Sequence, residues 1–133
     1  MATRVGVETA EFLVERGRKV TIVDSHEDEM GGGMAYYIRP FLLHKLAKMG
    51  VTMLRGVKYE EITDNGLVIT TGEGRRETIQ ADTIVLAADA RPNTELSAAL
   101  QSMVPEVYLV GDCLEPRGIL EAVADGSDAG RYI

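Results

Sequence analysis

Apolar residues recur with helical spacing over residues 6–16. They stand at Val7, Ala10, Leu13 and Val14. Gly17 suits the left-handed residue that ends a helix. A second helix is predicted from Pro40 to Met49, because proline is tolerated in the first turn of a helix and not in its interior. A third helix is predicted from Gly118 to Tyr132.

Short runs of apolar and β-branched residues between these helices predict strands. The runs cover residues 20–23, 51–54, 83–88 and 107–110. Because they are apolar without alternation, they are typical of parallel strands that are buried on both faces of a sheet. The alternation of helices with such strands predicts an α/β fold with a Rossmann-like parallel sheet.

Within this order, the pattern changes once to short strands joined by tight turns. Partial alternation over residues 57–62 precedes Asp64-Asn65-Gly66, which is a strong hairpin signal, and residues 67–71 form the returning strand. Glycine-rich residues 72–74 turn the chain again before a third strand over residues 76–80. We therefore predict an antiparallel β-meander inserted into the parallel pattern.

The composition is that of an ordinary globular protein, with 45% hydrophobic and 26% charged residues in 133. The net charge of -7 argues against nucleic-acid binding, because no basic surplus neutralises phosphates. The sequence contains no run of about 18 apolar residues, which is the length that a membrane-spanning helix needs. The N-terminus has no apolar signal-like core, so we expect a cytoplasmic location. Cys113 is the single cysteine, and His26 and His44 lie far apart, which predicts neither a disulfide nor a metal site.

Gly6 and Asp24 have nearly the spacing of a dinucleotide-binding unit. There, the last glycine of a turn lets a helix pack close to the sheet, and an acidic residue about 20 positions on binds the ribose. Asp24 stands 18 residues after Gly6. Its carboxylate would repel a 2′-phosphate and favour NADH over NADPH, a preference that a protonated His26 would weaken. The first two motif glycines would fall at Met1 and Thr3, so an ordinary helix and strand of another α/β protein is an equal alternative.

Two later segments place small or acidic residues after predicted strands. Residues 87–93 combine small residues with Arg-Pro-Asn, which suits the close approach of a ligand, although taken alone the segment favours a plain strand-to-loop exit with a proline turn. Gly111 and Asp112 follow the strand over residues 107–110, at the sheet edge where ligands gather, although an aspartate there could equally cap a turn. The helix that begins at Gly118 presents free N–H groups to an anionic ligand.

In this order the segments resemble the pyridine nucleotide-disulfide oxidoreductase superfamily of flavoproteins. Within it, the chain is most similar to the C-terminal region of the NADH:flavin oxidoreductases related to 2,4-dienoyl-CoA reductase and trimethylamine dehydrogenase. The resemblance rests on Gly6–Leu13, Tyr37–Gly50, Ala88–Asn93, Gly111-Asp112-Cys113 and Pro116-Arg117 with the helix that follows. Asp89 stands where the family commonly has glycine.

The resemblance implies two partial domains. Residues 1–103 would form an NAD(P)-binding Rossmann-like domain whose first strand is missing. Residues 104–133 would be the closing strand and helix of an FAD- or nucleotide-binding domain. The implied cofactor-binding residues are Gly6, Glu8, Asp24, Ala88, Gly111, Asp112 and Ile119. Gly6 would pack at the pyrophosphate turn.

The resemblance also implies a role for each of the others. Glu8 would lie near the nicotinamide, Asp24 would bind the adenosine ribose and Ala88 would line the cleft. Asp112 would bind the flavin ribitol, and the turn that starts at Ile119 would face the same ligand.

Three functions follow as hypotheses. The chain is part of an NADH-dependent flavin oxidoreductase, with FMN and an iron–sulfur cluster held by the remainder of the parent flavoenzyme; Cys113 cannot replace the four thiolates of such a cluster. It contains no catalytic side chain, so we expect the isolated chain to be inactive. Alternatively, it is a non-catalytic module that binds an adenine nucleotide. In a third hypothesis it is a structural module that self-associates through an exposed sheet edge.

Overall fold

The computed structural model describes residues 3–27, 30–88 and 90–133. Two residues interpreted above lie outside the described residues. They are Met1, at the position of the first motif glycine, and Asp89, at a position where the family commonly has glycine. The chain divides into two compact units, residues 1–89 and residues 90–133.

Helices and parallel strands alternate at the start of the first unit. Helix α1 spans Arg4–Val14 and is followed by β1 (Thr21–Val23), α2 (Arg39–Lys48) and β2 (Thr52–Leu54). The strands β1 and β2 pair in parallel along their full length. All four elements lie within two residues of their predicted positions. This arrangement confirms the predicted α/β fold with a parallel sheet.

The core of the first unit lies between α1, α2 and the parallel strands. Its buried apolar side chains are Val7, Ala10, Ile22, Met30, Leu42, Leu46 and Val51. On each helix the buried residues are three or four positions apart, which places them on one face. Burying one large apolar side chain contributes about 1.5–3 kcal/mol. The core therefore fixes where α1 begins and where β1 ends.

Lys45 links the two helices on the outside of this core. Its ammonium group lies 2.6 Å from the Glu11 carboxylate and 2.8 Å from the Glu15 carboxylate. The hydrogen bonds to Glu11 and Glu15 raise the pKa of Lys45. In return, the hydrogen bond and the charge of Lys45 lower the pKa of Glu15. The link ties the C-terminal end of α1 to α2.

An antiparallel meander follows in the same unit. It consists of β3 (Lys58–Thr63), β4 (Gly66–Thr70) and β5 (Arg76–Gln80), with β4 in the centre. The central strand is largely buried, whereas its two neighbours are mostly exposed. At the turn between β3 and β4, Gly66 has a φ of +129°, and a Cβ there would overlap the carbonyl oxygen of Ile79. The predicted meander is confirmed.

Two other predicted strands are wrong for the described part of the chain. Residues 83–88 and 107–110 do not pair with any strand there. Their β-branched and apolar residues favour an extended backbone, but a strand also needs a neighbour for its ladder of hydrogen bonds. The predicted burial fails too, because Val85 is 54%, Leu86 79% and Tyr108 45% exposed.

The second unit is built around its C-terminal helix. A short helix α3 (Glu95–Leu100), which the sequence did not predict, precedes a 3₁₀ turn over Gly111–Cys113. Helix α4 (Ile119–Tyr132) has the predicted position and packs against that turn. The compact units divide between residues 89 and 90. The predicted boundary at residues 103 and 104 concerns which cofactor each part binds, and it stays a prediction.

Candidate functional site

Three segments of the first unit converge at the N-terminus of α1. The Thr3 hydroxyl donates a hydrogen bond to the carbonyl oxygen of Ala87 at 3.2 Å. The Arg4 N–H donates to the carbonyl oxygen of Gly32 at 2.8 Å, and Thr3 forms a parallel bridge with Gly32. The loop over residues 31–33, which consists of three glycines, and the segment over residues 83–88 therefore flank the first turn of α1.

Gly6 is a point of close approach between α1 and that segment. A Cβ placed on Gly6 would lie 3.0 Å from the Cβ of Ala87, which is tighter than almost all real contacts of this kind. The N–H groups of Val5 and Gly6 lie in the first turn, where a helix offers them no internal acceptor. Within the described residues no side-chain hydrogen bond caps this end, and the Thr3 hydroxyl is engaged with Ala87. Free amides at the positive end of a helix attract anions such as phosphate.

Asp24 directly follows β1 and is held on both sides by the backbone. Its N–H donates to the carbonyl oxygen of Leu54 at 2.8 Å, and its carbonyl oxygen accepts the Val57 N–H at 3.2 Å. Its carboxylate oxygen Oδ1 accepts the His26 N–H at 3.0 Å and lies 3.3 Å from His26 Nδ1. The residue is 0% exposed. Asp24 therefore has the predicted place at a strand end, but its carboxylate is buried.

Tyr59 reaches the same strand end from the meander. Its hydroxyl donates to the carbonyl oxygen of Val23, the last residue of β1, at 3.1 Å. Burial and the neighbouring Asp24 carboxylate raise the pKa of Tyr59, while hydrogen bonds from Ser25 lower it. Sequence reasoning did not select Tyr59. The available signal was its position two residues after Val57, because residues two apart on a strand lie on the same face of the sheet. That spacing does not show which other element packs against this face.

The other predicted residues of the first unit lie at its surface. Glu8 is exposed and pairs with Arg4, one turn earlier on α1, at 3.1 Å. Ala88 is exposed at the end of the segment over residues 83–88. The structure therefore brings Gly6 against Ala87, and leaves Ala88 beside that contact.

In the second unit, the predicted residues surround the 3₁₀ turn. Gly111 is buried, and its N–H donates to the Asp125 carboxylate of α4 at 3.1 Å. The same carboxylate oxygen accepts a hydrogen bond from Arg117 at 2.5 Å. Asp112 is exposed. Sequence reasoning missed Asp125, because a single aspartate in mid-helix carries no signal of its contacts.

Helix α4 begins with an exposed, locally capped turn. The Glu121 carboxylate accepts the Gly118 N–H at 3.1 Å, which is one half of a capping box. Ile119 is 86% exposed. Nearby, the thiol of Cys113 donates to the carbonyl oxygen of Val110 at 3.0 Å. Asp112 and Ile119 are therefore accessible to a ligand, whereas Cys113 is half-buried.

Two surface concavities of the first unit lie away from the predicted residues. One, of about 280 Å³, lies between the end of β2 and the meander, and another, of about 260 Å³, lies along α2. Neither is lined by a predicted site residue. Among the described residues, no cluster of three or more His, Cys, Asp or Glu side chains could hold a metal ion. None of the described helices is long and apolar enough to cross a membrane.

The sequence matches known oxidoreductases over most of its length. The family model of pyridine nucleotide-disulphide oxidoreductases matches residues 2–130. Over 123 residues, the chain is 37% identical to bilirubin reductase of Mediterraneibacter gnavus and 32% identical to NADH oxidase of Thermoanaerobacter brockii. Each alignment covers 92% of this chain and 19% of the relative.

Solved structures show the same relationship. A complex of 2-naphthoyl-CoA reductase with 2-naphthoyl-CoA superposes with a TM-score of 0.84 at 30% identity, over 99% of this chain and 20% of that one. Histamine dehydrogenase from Rhizobium sp. 4-9 superposes with a TM-score of 0.81 at 21% identity, over 96% and 21%. That second likeness shows the fold alone. The chain thus spans about a fifth of the length of these relatives. The chain belongs to the pyridine nucleotide-disulphide oxidoreductase family.

Proposed function

We propose that the chain is the dinucleotide-binding part of an NADH-dependent flavin oxidoreductase. The observation that carries this proposal is the N-terminus of α1, which is packed through Gly6 against Ala87 and which no side chain of the described part of the chain caps. Free amides at such a helix end suit the pyrophosphate of a dinucleotide. Membership in a pyridine nucleotide-dependent family supports that ligand over other anions.

Each predicted residue of the first unit has a role in this proposal. The first turn of α1 at Gly6 holds the pyrophosphate, Glu8 lies towards the nicotinamide and Ala88 lines the cleft. Asp24 accepts hydrogen bonds from the adenosine ribose hydroxyls. Because its carboxylate is fully buried and already accepts the His26 N–H, ribose binding must uncover it.

The charge of Asp24 also sets the expected choice of nucleotide. A carboxylate beside the ribose repels the 2′-phosphate of NADPH, so NADH is preferred. His26 Nδ1 lies 3.3 Å from the same carboxylate. Protonation of His26 would place a positive charge there and weaken the preference.

In the second unit, Gly111, Asp112 and Ile119 would form part of an FAD or ADP site. The Asp112 carboxylate is exposed and can accept hydrogen bonds from ribitol or ribose hydroxyls. When both cofactors are bound, the nicotinamide supplies a hydride and the flavin accepts it. In this proposal the residues of this chain bind the cofactors and orient them. FMN and an iron–sulfur cluster would be held by the remainder of the parent flavoenzyme.

Calorimetric titration with NADH and NADPH tests the role of Asp24. Asp24→Asn keeps the size of the side chain and an oxygen for the His26 N–H, but removes the charge. We expect the NADH affinity to fall about tenfold, because hydrogen bonds to charged groups contribute about 1.5–3 kcal/mol. The NADPH affinity should fall less or rise. Asp64→Asn, at an exposed turn, changes the net charge equally and is the control.

The outcomes separate the two parts of the proposal. Equal affinity of the wild-type chain for NADH and NADPH would contradict the ribose role of Asp24. Failure to bind either nucleotide would overturn the proposal as a whole. We also expect no NADH turnover by the isolated chain, and steady NADH oxidation at an ordinary enzymatic rate would contradict that expectation.

A second candidate function is the binding of an adenine nucleotide without redox chemistry. In the proposed site, α1 contacts the pyrophosphate and Asp24 contacts the adenosine ribose. ADP contains both of these groups, as NADH does, and this favours the second candidate. Titration with ADP distinguishes the two functions. Equal affinity for ADP and NADH favours the adenine-only role, and clearly tighter binding of NADH excludes it.

Self-association is a further candidate, favoured by the unpaired segment over residues 83–88. Leu86 in this segment is 79% exposed, and a backbone without ladder partners offers a template for another chain. Light scattering of the wild-type chain should show oligomers that Leu86→Lys abolishes. Leu96→Lys, at a 72% exposed position of α3, is the matched control. A strictly monomeric wild-type chain at high concentration would exclude this candidate.

A further inference from the structure

Tyr59 connects the meander to the strand end that carries Asp24. It lies opposite Ile69 in the ladder of β3 and β4, and cross-strand partners share one face of a sheet. Ile69 is fully buried, so Tyr59 stands on the inner face of the meander. The register shifts between Tyr59 and Glu61. Irregularities of this kind re-aim neighbouring side chains and are frequent beside functional sites.

The phenol hydroxyl of Tyr59 is bonded to the backbone at the end of β1. It donates to the carbonyl oxygen of Val23 at 3.1 Å, and that carbonyl belongs to the peptide bond that leads into Asp24. The turn that follows is held by its own contacts, because the His26 backbone N–H donates to Oδ1 of Asp24 at 3.0 Å and the Ser25 hydroxyl lies 3.2 Å from Nδ1 of His26. One side chain of the meander is thus bonded to the peptide directly before the residue that carries the carboxylate.

We propose that Tyr59 is a positioning residue for nucleotide binding: its hydroxyl holds the turn after β1, and with it the carboxylate of Asp24. This inference rests on the proposed ribose role of Asp24. A turn that is fixed before the ligand arrives loses less conformational freedom on binding, which strengthens affinity without adding a contact to the ligand. Tyr59 therefore acts through the Val23 carbonyl and the peptide that leads into Asp24, and does not touch the ribose itself.

The surroundings of the phenol keep it in the form that donates. From the end of β1, the charge of the Asp24 carboxylate acts on the phenol, and the His26 ring lies 3.3 Å from that carboxylate. On its own strand, Lys58 and Glu60 pair with each other at 3.0 Å. Partial burial and the charge of Asp24 raise the pKa of Tyr59 above its ordinary value near 10. The hydroxyl donor is therefore present throughout the neutral range and is lost only in alkali.

Tyr59→Phe removes the hydroxyl and keeps the ring. Calorimetric titration of the full 133-residue chain should show NADH and ADP bound about threefold to tenfold more weakly, the usual effect of one lost hydrogen bond. Amide exchange at Ser25 and His26 should become faster. Tyr108→Phe is the matched control, because Tyr108 is 45% exposed against 47% for Tyr59 and its hydroxyl also bonds a neighbour.

A pH profile separates positioning from a general loss of stability. The nucleotide affinity of the wild-type chain should fall above pH 10, as Tyr59 ionises, while the Tyr59→Phe chain should lack that step. Wild-type binding that Tyr59→Phe leaves unchanged would overturn this inference and leave the proposed function standing. A wild-type chain that binds neither NADH nor ADP would overturn the proposed function and the inference with it.

Discussion

Gly6 and Ala87 lie so close together that a side chain at position 6 would crowd the segment over residues 83–88. A Cβ on Gly6 would lie 3.0 Å from the Cβ of Ala87. In a helix, glycine costs about 1 kcal/mol relative to alanine, so its use at this position needs a reason. The close approach supplies that reason, and it is the same contact that brings a third segment to the start of α1.

Gly6→Val is expected to destabilise the first unit. The added methyl groups force α1 and Ala87 apart, which costs about 1–3 kcal/mol of the free energy of unfolding and exceeds the gain in helix propensity. Thermal denaturation followed by circular dichroism measures the change. Gly126→Ala in α4 is the control, because a Cβ there meets no atom within 4 Å and should stabilise the helix slightly. An unchanged midpoint for Gly6→Val would contradict the close contact.

Gly66→Ala is expected to disrupt the meander. The new Cβ overlaps the carbonyl oxygen of Ile79, and the φ of +129° is strained for any side chain, so the loss should reach at least about 3 kcal/mol. Gly74→Ala separates the two causes, since its φ is +79° but its Cβ meets no atom within 4 Å. It should cost only about 1–2 kcal/mol. Urea denaturation measures both losses, and equal values would rule out the Ile79 overlap as a cause.

The contacts of Lys45 predict an acid-dependent stability. The hydrogen bond from Lys45 lowers the pKa of Glu15 below its ordinary value of 4.5. A lowered carboxylate pKa stabilises the folded state above pH 4.5, and this contribution is lost as the pH falls through the folded-state value. Lys45→Met should therefore lower the thermal midpoint at neutral pH, by a margin that shrinks below pH 4.5 and at high salt.

Lys48→Met provides the control for that experiment. Lys48 lies on the same helix and is exposed, and within the described ranges no ion pair is found for it. Its substitution should leave the pH profile of the midpoint unchanged. Parallel profiles for Lys45→Met and the wild-type chain would show that the contacts with Glu11 and Glu15 do not stabilise the fold.

Asp125→Ala is expected to release the 3₁₀ turn from α4. It leaves the N–H of buried Gly111 without its acceptor, which costs about 1–3 kcal/mol, and it leaves Arg117 with its contact to Glu115 in place of two carboxylates. Faster amide exchange at Gly111 is the direct measurement. Asp128→Ala is the control, because Asp128 only pairs with Arg131 on an exposed face of the same helix. Equal exchange in both variants would contradict the role of Asp125.

The sequence predicted those elements whose residue pattern depends on their own buried face or on their own turn geometry. Helices α1 and α2 each bury one face, and residues three or four apart report it. The Asp64-Asn65-Gly66 turn is encoded by its own backbone requirement. Helix α3 escaped prediction because none of its residues is buried, so its apolar positions follow no face.

The failures concern contacts with distant parts of the chain. The residues at 83–88 favour an extended backbone, but composition cannot supply the partner that makes a strand. Gly6 packs closely against Ala87, in a segment that pairs with no described strand, and Asp24 follows β1 as predicted, while the ligand roles of both residues stay predictions. The burial of Asp24 depends on what folds over it, and the place of Tyr59 depends on how the meander meets β1. No local pattern carries either fact.

The thiol of Cys113 gives the second unit a chemical reporter of its own. It is the single cysteine of the chain, it is half-buried, and it donates to the carbonyl oxygen of Val110 at 3.0 Å. A thiol reagent gains full access only when the turn around it opens. Local openings have free energies between zero and that of global unfolding. The rate at which a thiol reagent labels Cys113 therefore measures the opening of the 3₁₀ turn. The measurement needs no substitution, and the first unit contains no cysteine that would react with the reagent.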